Sequence, residues 1–96
     1  MKTVKLNGVM LDLKGMEIKN PAGGGALKMN EFVANLLAFS KGDNALRKLS
    51  IAQAMYLDGD MELEDADYKL VKKIVDGSDT SAILLAQVLT AMGVTE

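Results

Sequence analysis

The sequence predicts an α+β domain, mostly α: a small antiparallel β-hairpin or meander followed by a compact four-helix domain. Three observations predict it. Gly42, Gly59, Gly77 and Gly93 each follow a stretch with apolar residues at helical spacing, and glycine is the usual residue just past a helix C-terminus. Residues 3–19 instead alternate apolar and polar around Asn7-Gly8, the pair favoured in two-residue hairpin turns. The length of 96 residues is that of one domain, so residues 1–96 are expected to share one core.

The elements follow in chain order. A turn at Asn7-Gly8 pairs Leu6 with Val9 and Val4 with Leu11. A second turn at Lys14-Gly15 pairs Leu13 with Met16 and Leu11 with Ile18. Both turns collect Val4, Leu6, Val9, Leu11, Leu13, Met16 and Ile18 on one face, as a one-sided antiparallel meander requires. Asp12 opposite Glu17 is an unfavourable like-charge pair in that register. Residues 20–29 read as a glycine-rich loop, from Asn20-Pro21-Ala22 through Gly23, Gly24 and Gly25.

Residues 30–96 hold the four short helices. Asn30 is expected to cap the first, 31–41, which buries Phe32, Val33, Leu36, Leu37 and Phe39. Asp43 or Asn44 is expected to cap the second, 45–58. Its apolar residues make no single stripe: Leu49, Ala52 and Tyr56 lie on one side, Ile51 and Met55 on another, Leu46 and Leu57 on a third. The third helix, 65–76, has Glu64, Asp65 and Asp67 at its start and Lys72 and Lys73 at its end, an order that suits the helix dipole. Asp79 or Thr80 is expected to cap the fourth, which ends before Gly93. Ala82, Leu84, Leu85, Val88, Leu89, Ala91 and Met92 cover about half its circumference at ~100° per residue. The glycine intervals of 17, 18 and 16 residues are not an internal repeat, because the residues between them do not match.

Composition narrows the chemistry. There is no cysteine and no histidine, so disulfides, thiolate chemistry, the usual zinc ligands and the commonest general base are all absent. The net charge of −2 offers no global attraction to nucleic acid or anionic membrane. No apolar run approaches the length of a membrane span, and Asp12 and Lys14 interrupt any signal-peptide pattern. The expected location is the cytoplasm. With two Phe, two Tyr and no Trp, the core must come from aliphatic residues and from some of the seven methionines, which suit irregular cores and adaptable interfaces alike.

Three motifs resemble chemical sites and fall short. Gly23 to Lys28 precedes a helix, as phosphate-cradling loops do, but the Lys-Ser/Thr pair of a P-loop is missing. Asp58 to Asp67 contains six acidic residues, yet a calcium loop begun at Asp58 places Leu63 and Lys69 where glycine and glutamate are needed. Arg47, Lys48, Lys69, Lys72 and Lys73 make a weak basic cluster, and the dense acidic turn at 64–67 argues against a DNA-reading helix. No catalytic, metal or cofactor-binding residues are expected.

The surplus of apolar helical surface is the more informative signal. A small four-helix domain needs about one apolar stripe per helix. The second helix offers several, and half of the fourth is apolar. Either the fourth is the central core helix, or one side of both helices meets another copy or a protein partner. The expected interface is Ile51, Met55, Leu84, Leu85, Val88 and Met92.

Several segments resemble a family of small proteins encoded by tailed phages and prophages. These are Leu11 to Ile18, Ala26 to Leu37, Leu63 to Lys72 and Leu84 to Leu89. Glu64 departs from the pattern, where such sequences usually have a Ser or Thr cap. The resemblance implies a viral or prophage origin and work inside a bacterial cell; the family has no assigned activity, so no functional residue carries over. The expected function is a non-enzymatic phage accessory protein that binds protein or self-associates, with virion (tail) assembly as one setting. An inhibitor of a host enzyme or defence protein and a small nucleic-acid-binding regulator are the alternatives.

Overall fold

The computed structural model describes residues 2–20, 23 and 25–93. The fold is α+β and mostly α, with antiparallel strand pairing at the N-terminus and four helices. The elements are β1 (Lys2–Lys5), α1 (Met29–Ala38), α2 (Ala45–Leu57), β2 (Asp60–Leu63), α3 (Asp65–Asp76) and α4 (Ala82–Ala91). The helices fall close to their expected positions, because apolar periodicity and breakers are local properties of the chain.

The strand partner is different from the one expected. β1 pairs antiparallel with β2, in the register Lys2↔Leu63 to Lys5↔Asp60. Val4, Met61 and Leu63 share the inward face, and the outward face sets Lys5 opposite Asp60. The Asn7-Gly8 hairpin does not form, since neither residue takes positive φ. Asn7 spends its amide elsewhere. Its Nδ2 donates to Asp58 Oδ1 at 2.7 Å, and its Oδ1 accepts from the Gly59 N–H at 2.7 Å. Because the chain runs straight on, the strand period of two keeps Val4, Leu6 and Met10 on one side, and all three are fully buried. Leu11, Leu13 and Met16, expected on the apolar face, are exposed.

The turn expected at Lys14-Gly15 forms one residue earlier: the Gly15 N–H donates to the Asp12 carbonyl at 3.0 Å, so Leu13 and Lys14 are its central residues. Gly15 takes φ 79°, and the Asp12 carboxylate accepts from the N–H groups of Lys14 and Met16, a side-chain-closed turn. Its register differs by one residue from the expected one, with Leu11 bridging Glu17 rather than Ile18. A one-residue slip turns every side chain to the opposite face, which is why Leu13 and Met16 look outward. Met10 donates to the Leu27 carbonyl, Leu27 to that of Ile18, and Ile18 to that of Met10, at 2.7–2.9 Å. This ring joins three extended segments, so residues 26–28 are paired rather than loop. Pro21, Ala22 and Gly24 of the expected loop lie outside the described residues.

Two expected caps move. Lys28 occupies the cap position of α1 and Ser81 that of α4. Asn30 lies inside α1, buried, and its Nδ2 donates to the carbonyls of Met55 and Tyr56 at 3.2 Å. It therefore satisfies the C-terminal end of α2 rather than the N-terminal end of its own helix. Asn44 is at the cap position of α2, but its side chain makes no capping bond.

The core draws on every element. Val4, Leu6 and Met10 meet Val33, Ala34 and Leu37 of α1, Ile51, Ala52 and Met55 of α2, Leu63 of β2, and Val71 and Val75 of α3. Val88 and Met92 close it from the fourth helix. Tyr68 is half-buried over this core, with its hydroxyl donating to the Met92 carbonyl at 2.9 Å.

Candidate functional site

The structure places four of the six expected interface residues in the core. Ile51, Met55, Val88 and Met92 are buried within a single chain, so none of them offers surface to a partner in this conformation. Leu84 and Leu85 are half-buried against the core. The apolar surplus of α2 is nevertheless present, on the opposite side of the helix. At 100° per residue, Lys48, Ile51, Ala52 and Met55 form the inner side. Leu46, Leu49, Tyr56 and Leu57 fall within an outer arc of about 100°. Leu46 and Leu57 are 88% and 86% exposed, and Leu49 and Tyr56 about half exposed. Gln53, Ser50 and Ala54 complete this side of the helix, and all three are exposed. Arg47 stands at its edge and is ion-paired with Asp67 at the start of α3. The outer face therefore carries no unpaired charge.

This surface was partly legible. Leu46 with Leu57, and Leu49 with Ala52 and Tyr56, read as stripes in the sequence; the structure buries Ala52 and leaves the other four outward. Periodicity shows how many stripes a helix has but not which one is covered, and the covering here comes from α1 and the N-terminal segment.

A second feature lies on the other side of the molecule's first helical hairpin. A cavity of about 750 Å³ opens between α1, α3 and the two loops that follow them. Phe32, Leu36, Leu70 and Ile74 supply apolar wall, and Lys48, Lys73, Asn35 and Ser78 polar wall. Lys48 is only 7% exposed, and its ammonium donates to the Lys41 carbonyl at 3.2 Å. Ser78 Oγ is committed, donating to the Val75 carbonyl at 2.6 Å. The sequence held no signal for this cavity.

The motifs that resembled chemical sites take structural roles. The segment begun at Asp58 forms the strand β2 and the entry to α3. Asp58 accepts from Asn7 Nδ2 and from the Asp60 N–H. The Asn7 bond, and then the Asp60 N–H, hold its carboxyl below the ordinary aspartate value. The alternation Asp60-Met61-Glu62-Leu63 was the missed signal for β2. Lys72 of the basic cluster faces Asp76 one turn on, and Arg47 is paired. Among the described residues, no group of three or more metal-ligating side chains converges, and no helix is long and apolar enough to cross a membrane. Comparison with protein-family models, with curated proteins and with solved structures gives no match.

Proposed function

We propose that this chain is a non-enzymatic protein-binding module that associates with a second copy of itself through the outer face of α2. The single observation that carries the reading is a helix apolar on both sides, whose outer stripe of Leu46, Leu49, Tyr56 and Leu57 stands in solvent. Two properties of that stripe favour a second copy. It is nearly symmetric end to end, with a leucine at each extremity, Leu49 and Tyr56 between, and Gln53 near the middle. A two-fold axis needs such a self-complementary patch. Turning one helix antiparallel to the other brings Leu46 towards the partner's Leu57 and Leu49 towards its Tyr56. The face also carries no unpaired charge, so two identical copies meet without like-charge repulsion. Four side chains bury on the order of 400 Å² per copy, about half of what a standard-size interface buries on each partner. The association is accordingly weak and depends on concentration. The phage or prophage accessory role belongs to this proposal through the sequence resemblance alone.

Sedimentation equilibrium over about 1 µM to 1 mM spans the affinity range of a weak dimer. The weight-average mass is expected to climb towards twice the chain mass at the upper end. The double variant Leu46→Glu, Leu57→Glu is expected to stay monomeric with an unchanged far-UV spectrum. A wild-type chain that remains monomeric throughout, or a variant that associates as the wild type does, overturns self-association through this face.

A further inference from the structure

The cavity between α1, α3 and loops 40–44 and 77–79 is the molecule's other unassigned feature, and it is independent of the α2 outer face. Its volume of about 750 Å³ falls within the roughly 300–1,000 Å³ of small-molecule sites. Its wall has the make-up of such sites, a broad apolar surface with a few polar groups. The apolar part is Phe32, Leu36, Leu70 and Ile74.

Lys48 is the informative polar group. Buried charges in proteins are normally paired or fully hydrogen-bonded, because desolvation is costly. The Lys48 ammonium has three donors and makes one hydrogen bond, to the Lys41 carbonyl. Among the described residues no carboxylate lies within ion-pair distance of it. The lining also holds Lys41 and Lys73 against Asp43 and Asp79, which with Lys48 leaves one net positive charge in a chain whose total is −2. Arg47, the chain's planar donor for bidentate phosphate recognition, is committed to Asp67 outside the cavity.

We propose that this cavity binds a small amphipathic carboxylate. The carboxylate sits on the Lys48 ammonium, with Lys73 at the rim, and the hydrocarbon body lies against Phe32, Leu36, Leu70 and Ile74. Such a ligand supplies the missing counter-charge and covers the apolar wall in one step.

The test uses the intact chain, labelled with ¹⁵N, and four probes: octanoate, octanol, octylammonium and inorganic phosphate. Octanoate is expected to shift the amide signals of Leu36, Lys48, Ile74 and Ser78. It is expected to bind at least about tenfold more tightly than octanol or octylammonium. Phosphate, which lacks the apolar body, is expected to leave these signals in place. Lys48→Met keeps the aliphatic stem and is expected to erase the preference for octanoate over octanol. Ile74→Trp fills the cavity and is expected to abolish both. The comparison among probes on the wild-type chain needs neither variant to fold. Equal affinity for octanoate and octanol, no shift at about 5 mM octanoate, or shifts confined to Leu46, Leu49 and Leu57 would each overturn the site. The last outcome marks non-specific adsorption on the α2 outer face.

Discussion

Asn7, Asn30 and Gly59 form one junction, where the end of β1, the start of α1 and the turn after α2 come together. Asn7 holds the turn through Asp58 and the Gly59 N–H, and Asn30 holds the last carbonyls of α2. Gly59 is buried there and has no room for a side chain. A Cβ at this position would stand 2.5 Å from Asn30 Cβ and 2.7 Å from the Leu6 carbonyl carbon. Neither atom is the free end of a flexible chain. Gly59→Ala is therefore expected to destabilise the fold by about 3 kcal/mol, an overpacking cost. Thermal unfolding should report it as a drop of more than about 10 °C for a domain of this size. Asp58 supplies a pH signature at the same junction. Its carboxyl titrates below the ordinary aspartate value because the charged form accepts the Asn7 and Asp60 hydrogen bonds. The stability it contributes is complete above the ordinary aspartate range and is lost as pH falls through its lowered folded value. Urea unfolding between about pH 6 and pH 2.5 is expected to show wild type losing stability on the acid side. Asp58→Asn should lose less over that interval, and Asn7→Ala should narrow the difference between them, since the Asp60 N–H bond remains.

Among the elements, α4 is the most lightly held. Its midpoint Val88 is fully buried, but Leu84, Leu85 and Leu89 are only half-buried, and the helix leans mainly on α3. One polar clasp ties it to the N-terminal segment. The Gln87 side-chain amide accepts from the Leu11 N–H at 2.9 Å and donates to the Leu11 carbonyl at 2.7 Å, as a neighbouring strand would. Native-state hydrogen exchange is expected to find the α4 amides opening at lower free energy than those of α1 and α2. Gln87→Ala should lower the α4 value by about 1–2 kcal/mol, the worth of two hydrogen bonds, while leaving α1 little changed. Equal protection across all four helices would mean that α4 unfolds only with the whole domain. The helix limits were readable beforehand to within a few residues. Gly93 is a fair example: it takes φ 84° just beyond α4, where a left-handed residue ends a helix. Gly59 shows the opposite case, a glycine required by close approach and not by its own backbone conformation.

At the scale of the whole molecule, the sheet closes over most of the chain. β1 and β2 are separated by α1 and α2, and the inward faces of both strands seal the same core as those helices. This closure decides which side of α2 is used. With Ile51 and Met55 drawn inward, the helix has no second apolar layer to cover Leu46 and Leu57. Self-association has a consequence here. If the α2 face joins two copies, binding stabilises the folded form by mass action, so the melting temperature should rise with protein concentration in the wild type and stay constant in the Leu46→Glu, Leu57→Glu variant. The cavity is equally a tertiary product, since its walls come from α1, α3, the loops that leave them and Lys48 of α2.

Taken alone, the order of residues settled the α+β class, the four helices, the glycine that ends the last of them and the excess of apolar stripes on the second helix. Each depends on neighbours within a turn or two along the chain. Tertiary structure alone decided that Asn7 would clasp Asp58 rather than turn a hairpin, that residues 60–63 would be the partner of β1, and that Ile51 and Met55 would go inside while Leu46 and Leu57 stayed out. Those outcomes turn on which distant surfaces find each other, and burial free energy is shared among segments that no local pattern connects.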